Sequence, residues 1–299
     1  MTTAINRYGH VAVLAGGKSN EREISLQGGE AVCTALDERG IQATLMDISE
    51  SLPKRESIDR AFIMVHGQGG EDGKIQGYLE TVGLPYTGSG VQASSICMNK
   101  YLTKLIWKDL GLCTPEHILA SDCHSIDPDS ITYPVIVKPT GEGSSIGMSR
   151  VECGKTLEPS INQALQYSST ALIERWVDGD ELTVSILGDQ SLPVICVKTP
   201  RQFYDFDAKY RSNKTEYIFP DYDDCDLAYI QSMALKAFQA TGATGWGRVD
   251  LIRDHDGTLW LLEINTVPGM TRHSLVPKAA EKAGINFAAL CEKILETSL

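Results

Sequence analysis

A chain of 299 residues is too long for one ordinary core, and two or three compact units of roughly 100 residues each are expected. The 42% hydrophobic and 22% charged fractions are those of a globular protein; no apolar run approaches the ~20 residues of a membrane span, and residues 1–8 lack a secretory core, so a cytoplasmic protein is expected. A net charge of −12 with no basic run or stripe argues against general nucleic-acid binding, and eight scattered cysteines at no metal or redox spacing read as buried thiols.

Residues 1–98 read as βαβ. Strand Val11–Ala15 ends in Gly16-Gly17, and Asn20 with Glu23 three residues on reads as a capping pair opening a helix to about Arg39. A second strand begins near Ala43, and Ala61–Val65 is a short buried-strand run. The glycine-dense loop His66–Gly73 follows at that strand's carboxyl end, where open α/β sheets bind ligands. His66 and Glu71 in that loop read as structural as readily as catalytic. Leu102, Leu105, Ile106 and Leu110 mark a helix face, with the first boundary placed near residue 98. Strand-rich sequence then runs through Tyr133–Lys138, Leu172–Val177, Leu182–Leu187 and Leu192–Val197. The long polar and aromatic loop Arg201–Pro220 has the length of a lid, Leu227, Ile230, Ala234 and Phe238 mark another helix, and two short helices follow Pro277.

The most informative stretch is Trp246–Ile252 followed, after a turn, by Thr258–Asn265. If the turn pairs Asp254 with Gly257, Asp250 lies opposite Leu261. Arg248, Asp250, Leu261, Glu263 and Asn265 then share one face, and Val249, Leu251, Trp260, Leu262 and Ile264 the other. Two carboxylates and an amide oxygen beside an arginine form a hard-oxygen set suited to Mg²⁺ that still carries phosphates. An amphipathic hairpin with a solvated outer face is the plainer alternative.

Pro139–Gly147 follows a strand ending in Lys138, and its three glycines let backbone amides approach a phosphate. Gly143-Ser-Ser-Ile-Gly147 also fits the nucleophile elbow of serine hydrolases, with Ser145 attacking. That elbow needs a helix after the serine, whereas Met148–Val151 reads as a strand, which favours a glycine hairpin. Neither a Walker loop nor a dinucleotide fingerprint survives inspection, because position 12 is Ala and the glycines at 141, 143 and 147 are spaced one residue too far. The strand end Glu174-Arg175-Trp176-Val177 is suited to an adenine, and Glu181 to ribose hydroxyls, although an ordinary strand end and an exposed glutamate are equally simple readings. Lys209 and Tyr210, in the long loop, signify little by themselves.

Taken together, Gly16–Ser25, His66–Gly73, Pro85–Gly90, Met98–Lys100, Val135–Pro139, Glu142–Ser145, Ala208–Tyr210, Gly245–Asp250, Leu262–Thr266 and Pro268–Met270 recur in an order that resembles D-alanine–D-alanine ligases of the ATP-grasp superfamily, across essentially the whole chain. The resemblance implies an α/β (α+β) fold in three domains: 1–98, an open parallel α/β unit; 99–180, a central unit with the glycine-rich loop; and 181–299, a carboxyl-terminal unit with the lid and metal site. The last two would clamp ATP. It implies that Lys100, Lys138, Glu174 and Glu181 bind ATP, with Arg175, Trp176, Val177, Ser144 and Lys209 around the nucleotide, and that Asp250, Glu263 and Asn265 hold two Mg²⁺ ions, for which Mn²⁺ substitutes. Glu21 would bind the ammonium of the first D-alanine and form a hydrogen-bonded triad with Ser144 and Tyr210, with His66 beside that substrate. Lys209 would face the transferred phosphoryl, Arg248 and the Gly269 amide would stabilise the oxyanion, and Ser274 with Leu275 would receive the second substrate's carboxylate. Arg175 stands where many members have lysine, and Gly141 where many have a larger residue. The Lys209-Tyr210 pair resembles dipeptide-forming rather than depsipeptide-forming members, and a homodimer with no nucleic-acid or membrane partner is implied.

Overall fold

The computed structural model describes residues 7–199, 214–271 and 274–299. In the first sheet, β1 (Val11–Ala15) runs parallel between β2 (Ala43–Asp47) and β3 (Arg60–Ile63). Every residue of β1 is buried, as a parallel strand covered on both faces requires. Helix α1 (Arg22–Glu38) lies close on this sheet because Gly29 presents no Cβ; one built there would come within 2.6 Å of Leu45 and 2.8 Å of Ala15. The anticipated Asn20–Glu23 capping pair is not made. Glu21 occupies the N-cap without a side-chain cap, and Arg22 instead ties the turn down by bonding the Gly17 carbonyl and pairing with Asp47. Helices α2 (Lys74–Thr81) and α3 (Val91–Met98) follow.

Helix α4 (Lys100–Asp109) corrects the sequence reading. Leu102, Leu105 and Leu110 are exposed, and the inner face is Lys100, Thr103, Lys104 and Trp107, also a helical spacing. Partners explain the inversion: the Lys104 ammonium meets the Glu174 carboxylate at 2.7 Å, and the Trp107 indole donates to the Ala237 carbonyl at 2.9 Å. A charged residue enters a core when it is paired there.

The second sheet is antiparallel in the order β4 (His117–Ala120), β7 (Ala171–Arg175), β5 (Val135–Pro139), β6 (Ser149–Val151), with α5 (Leu157–Leu165) on one face. The third is six-stranded: β11 (Glu216–Ile218), β10 (Ile195–Lys198), β8 (Gly179–Leu187), β12 (Trp246–Asp254) and β13 (Leu259–Asn265), with β9 (Gln190–Ser191) on β8. Helix α6 (Asp224–Ala240) covers it through Ile230, Ala234 and Phe238. Helices α7 (Leu275–Lys282) and α8 (Phe287–Glu296) return to the first sheet, where Leu290, Ile294 and Leu295 share a core with Val11 and Leu36. Pro277 lies inside α7 rather than ahead of it.

The β12–β13 register differs from the expected one in two compensating steps. The Asp254 amide donates to the Thr258 carbonyl, so the turn holds one more residue than anticipated. Alone, that slip would put Asp250 and Glu263 on opposite faces. A bulge between Asp250 and Leu251 adds a second step, and Asp250 pairs with Glu263 and Arg248 with Asn265. The polar residues therefore share a face as expected, although Asp250 does not oppose Leu261. Leu261 turns into the core, while Trp260, opposite Ile252, and Leu262 fall on the polar side.

Candidate active site

Loops from all three sheets close on a cavity of about 530 Å³. Its walls take Glu21 from the start of α1, His66 and Glu71 from the loop after β3, Ser144 from the glycine loop, Arg248, Glu263 and Asn265 from the hairpin, and Gly269, Ser274 and Leu275 from the segment entering α7. Glu21 is buried and accepts a short hydrogen bond from Ser144 Oγ, joining the first sheet's loops to the glycine loop. A Cβ at Gly67 or Gly143 would stand 3.1 or 3.3 Å from Glu21 Oε2, so both loops approach this carboxylate with bare backbone. Ser144 and Ser145 carry φ of 53° and 60°, a region non-glycine residues seldom occupy.

His66 Nδ1 donates to the Val267 carbonyl at 2.7 Å, which makes Nε2 the acceptor; that atom is buried with no hydrogen-bond partner among the described residues. Burial pushes the imidazole below its ordinary value, against the nearby Glu21 charge, so the ring is neutral near pH 7. Glu71 accepts from the amides of Gly67 at 2.7 Å and Val267 at 3.1 Å, tying together the loops that carry His66 and Gly269. Burial, aided by Glu21, pushes its carboxyl up to about 8 against those two donors.

Asp250 is held by three donors: Arg248 Nε at 2.8 Å, Arg248 Nη2 at 2.7 Å, and the hydroxyl of Thr183, its cross-strand partner on β8, at 2.6 Å. Glu263 Oε2 lies 3.2 Å from the Lys100 ammonium, which also donates to the Glu142 carbonyl at 2.6 Å. Asn265 Oδ1 is buried with no hydrogen-bond partner among the described residues. Two carboxylates faced by cations, with an orphaned amide oxygen beside them, fit a hard divalent cation.

Behind this face, a cavity of about 100 Å³ is lined by Lys138, Glu174, Arg175, Trp176, Val177 and Glu181 with Ile136, Leu262, Asp250 and Glu263. Glu174 lies between two ammonium groups, Lys104 at 2.7 Å and Lys138 at 2.9 Å. Burial alone would raise its carboxyl, but these two cations hold it below the usual carboxylate range. The Lys104 ammonium also donates to Thr114 Oγ1 at 2.7 Å and to the Leu261 carbonyl at 3.1 Å, so one buried cation joins β7 to β13. The Arg175 guanidinium stacks 4.4 Å from the Trp260 ring, and Arg150 stacks 4.3 Å from that of Trp176. Glu263 lines both cavities.

Ser145 is followed by a turn and β6, not by a helix, which removes the nucleophile elbow. Cys113, Cys153 and Cys225 are exposed, correcting the reading of every cysteine as buried. Lys209 and Tyr210 lie outside the described residues. Sequence reasoning passed over Lys104, Thr183 and the cavity-lining Lys278. Only Thr183 left a usable trace, as a polar residue at an inward position of a strand.

The family model for the D-ala D-ala ligase C-terminus matches residues 106–296, and that for the N-terminus matches residues 49–89. The chain belongs to the D-alanine–D-alanine ligase family. It is 50% identical to the D-alanine–D-alanine ligase of Alkalilimnicola ehrlichii, covering 96% of this chain and 94% of that one. With the ligase of Acinetobacter baylyi it shares 48%, covering 98% and 97%. A crystal structure of the Bacillus anthracis D-alanine–D-alanine ligase superposes with a TM-score of 0.85 at 32% identity over 97% of each chain, and one of the same enzyme complexed with ATP at 0.85 and 29%. The ligase fold is thus the ATP-grasp architecture, a parallel α/β sheet with two antiparallel sheets. Among the described residues, no helix is long and apolar enough to cross a membrane.

Proposed function

We propose that this protein is an ADP-forming ligase that joins two molecules of D-alanine into D-alanyl-D-alanine for peptidoglycan precursors, through a D-alanyl phosphate. The observation that carries this reading is the pairing of Asp250 with Glu263 and of Arg248 with Asn265 on the face between the two cavities. The small cavity is the nucleotide side. Val177, Leu262 and Ile136 offer apolar faces to a base, Lys138 meets phosphate, and Glu181 takes ribose hydroxyls. Likeness to a ligase complexed with ATP supports the same nucleotide here. The 530 Å³ cavity is the amino-acid side.

A carboxylate is a poor electrophile until its oxygen is phosphorylated, and the amine of the second D-alanine then displaces phosphate. Asp250, Glu263 and Asn265 would hold Mg²⁺, taken to be two ions with Mn²⁺ as a substitute; once bound, the metal offsets charge on the transferring phosphoryl group. Glu21, anchored by Ser144, orients the first ammonium, with the neutral His66 ring beside it. Arg248, with the Gly269 amide, faces the carbonyl oxygen on which negative charge develops. Ser274 is the N-cap of α7 but makes no side-chain cap; its hydroxyl accepts from the Thr271 amide at 3.0 Å. The first amides of α7 are therefore available to a carboxylate, with Lys278 alongside. Lys209 on the phosphoryl and Tyr210 with Ser144 complete the proposed set, as lid residues that exclude water from a hydrolysable intermediate. The division into 1–98, 99–180 and 181–299 and a cytoplasmic location follow from the sequence pattern, and a homodimer from the resemblance.

Incubation with ATP, Mg²⁺ and D-alanine should give the dipeptide and one phosphate per bond formed, measured by mass and phosphate release. A depsipeptide preferred when D-lactate is added, or no ATP turnover, would overturn the assignment. Thr183→Val should raise the Mg²⁺ concentration for half-maximal turnover roughly 10–100-fold, as loss of an outer partner of a metal ligand does, and Thr183→Ser should restore it. An unchanged Mg²⁺ dependence in the valine variant would release Thr183 from any role in orienting Asp250.

A further inference from the structure

On the other face of the central sheet, Cys123, His124 and Glu158 bring a thiol, an imidazole and a carboxylate together, their donor atoms all within 4.8 Å of one another. Cys123 Sγ lies 3.8 Å from Glu158 Oε1. We propose that these three side chains form a binding site for a borderline transition dication, zinc being the ion they suit best, separate from the oxygen site of the hairpin.

The separation follows from the alternation along β5. Ile136 and Lys138 line the nucleotide cavity, whereas Val135 and Val137 pack in a core with Leu157 and Ile161 of α5. Helix α5 therefore covers the opposite face of the sheet, and Glu158 lies in its first turn. The donor set chooses the metal. Thiolate and imidazole are the ligands of zinc, and Mg²⁺ takes neither readily, whereas Asp250, Glu263 and Asn265 offer oxygen alone. Thiolate and carboxylate together neutralise a dication, and three protein ligands leave a fourth tetrahedral position for water.

The cluster is partly pre-set. Cys123 packs against the core under α5 together with Ile126 and Leu165, which fixes where its sulfur lies. Asp122 accepts from the His124 amide at 2.8 Å through its side chain, and its carbonyl accepts from Ser125 Oγ at 2.8 Å, which holds the turn carrying the imidazole. Metal–ligand distances of about 2.0–2.3 Å put tetrahedral ligand atoms roughly 3.5 Å apart, so closure asks for about 1 Å of movement. His124 and Glu158 are exposed and can supply it by side-chain rotation. Binding breaks the Cys123 S–H bond and forms a metal–sulfur bond, the proton leaving to solvent.

The test uses the full chain with Mg²⁺ saturating, so that the oxygen site is filled. Zn²⁺ should bind with a stoichiometry of one under competition by a chelator. Co²⁺ in its place should give the near-ultraviolet thiolate-to-metal charge-transfer band that oxygen ligands cannot produce. Cys123→Ser should abolish the band, and His124→Ala should weaken Zn²⁺ binding by more than the roughly 10–100-fold that loss of an outer-shell partner costs. Both variants should keep wild-type ligation and the wild-type melting temperature in the absence of Zn²⁺. A band that persists in Cys123→Ser would assign the metal to one of the exposed thiols Cys113, Cys153 or Cys225 and overturn the proposal, as would failure of the wild type to retain Zn²⁺ against the chelator.

Discussion

Glu263→Gln is expected to lower ligation turnover by roughly a thousandfold or more while leaving the fold intact. The substitution keeps volume and one carbonyl oxygen but removes the charge that a metal ligand supplies, and several kcal/mol of transition-state stabilisation correspond to about three orders of magnitude in rate. Its structural cost is expected to be small, because the swap conserves volume at a side chain that is 27% exposed, beside the Lys100 ammonium at 3.2 Å. Turnover as a function of Mg²⁺ and a denaturation curve on the same preparation separate the two effects. Turnover near wild type would remove Glu263 from the metal set, and with it the reading of the β12–β13 face. A collapsed denaturation midpoint would make Glu263 a structural residue instead.

Why that hairpin could be read from sequence at all is instructive. Its expected register was wrong by one residue at the turn and by one more at the bulge, and because side chains alternate with a period of two, the second displacement returned Asp250, Glu263 and Asn265 to a common face. The pattern of residues constrained which side chains share a face more tightly than which are opposite one another. The extra turn residue left no sure trace in composition, so Trp260, Leu261 and Leu262, which lie between the turn and the restored register, were assigned to the wrong sides. The residues proposed for the nucleotide side were noticeable singly, as a strand-end lysine and a strand-end glutamate, but nothing local said that Lys138, Glu174 and Glu181 line one cavity; only the pairing of β5 with β7 and the packing of two sheets do that. Helix α4 failed for the opposite reason. Its leucines form an apolar stripe, and its lysines read as a solvated face until Glu174, 70 residues after Lys104, turns that face inward.

Lys104→Met is the second large effect expected. The ammonium is fully buried, paired with Glu174 and bonded to Thr114 and the Leu261 carbonyl; its removal leaves that carbonyl to Thr114 Oγ1 and the buried Glu174 carboxylate to Lys138 alone. Breaking a buried ion pair from one side costs about 3–5 kcal/mol, to be read as a fall in the denaturant midpoint. Because Lys104 ties β7 to β13 behind the nucleotide cavity, the Michaelis constant for ATP should rise as well. A cycle with Glu174→Gln should show a coupling of about 0.5–3 kcal/mol. The pH dependence tests the cause. Burial, opposed by Glu174, pushes this ammonium down to about 8 from 10.5. The unfolded chain then binds more protons across that window, so Lys104 makes stability rise with pH between about 8 and 10.5; the contribution is complete above 10.5 and lost as pH falls through about 8. Subtracting the variant's curve from that of the wild type cancels the other titrating groups, and the difference should grow across the same window. A difference that stays flat would mean that Lys104 keeps its proton throughout, with the Glu174 charge outweighing desolvation. A variant as stable as the wild type would deny the buried cation any part in holding the two sheets together.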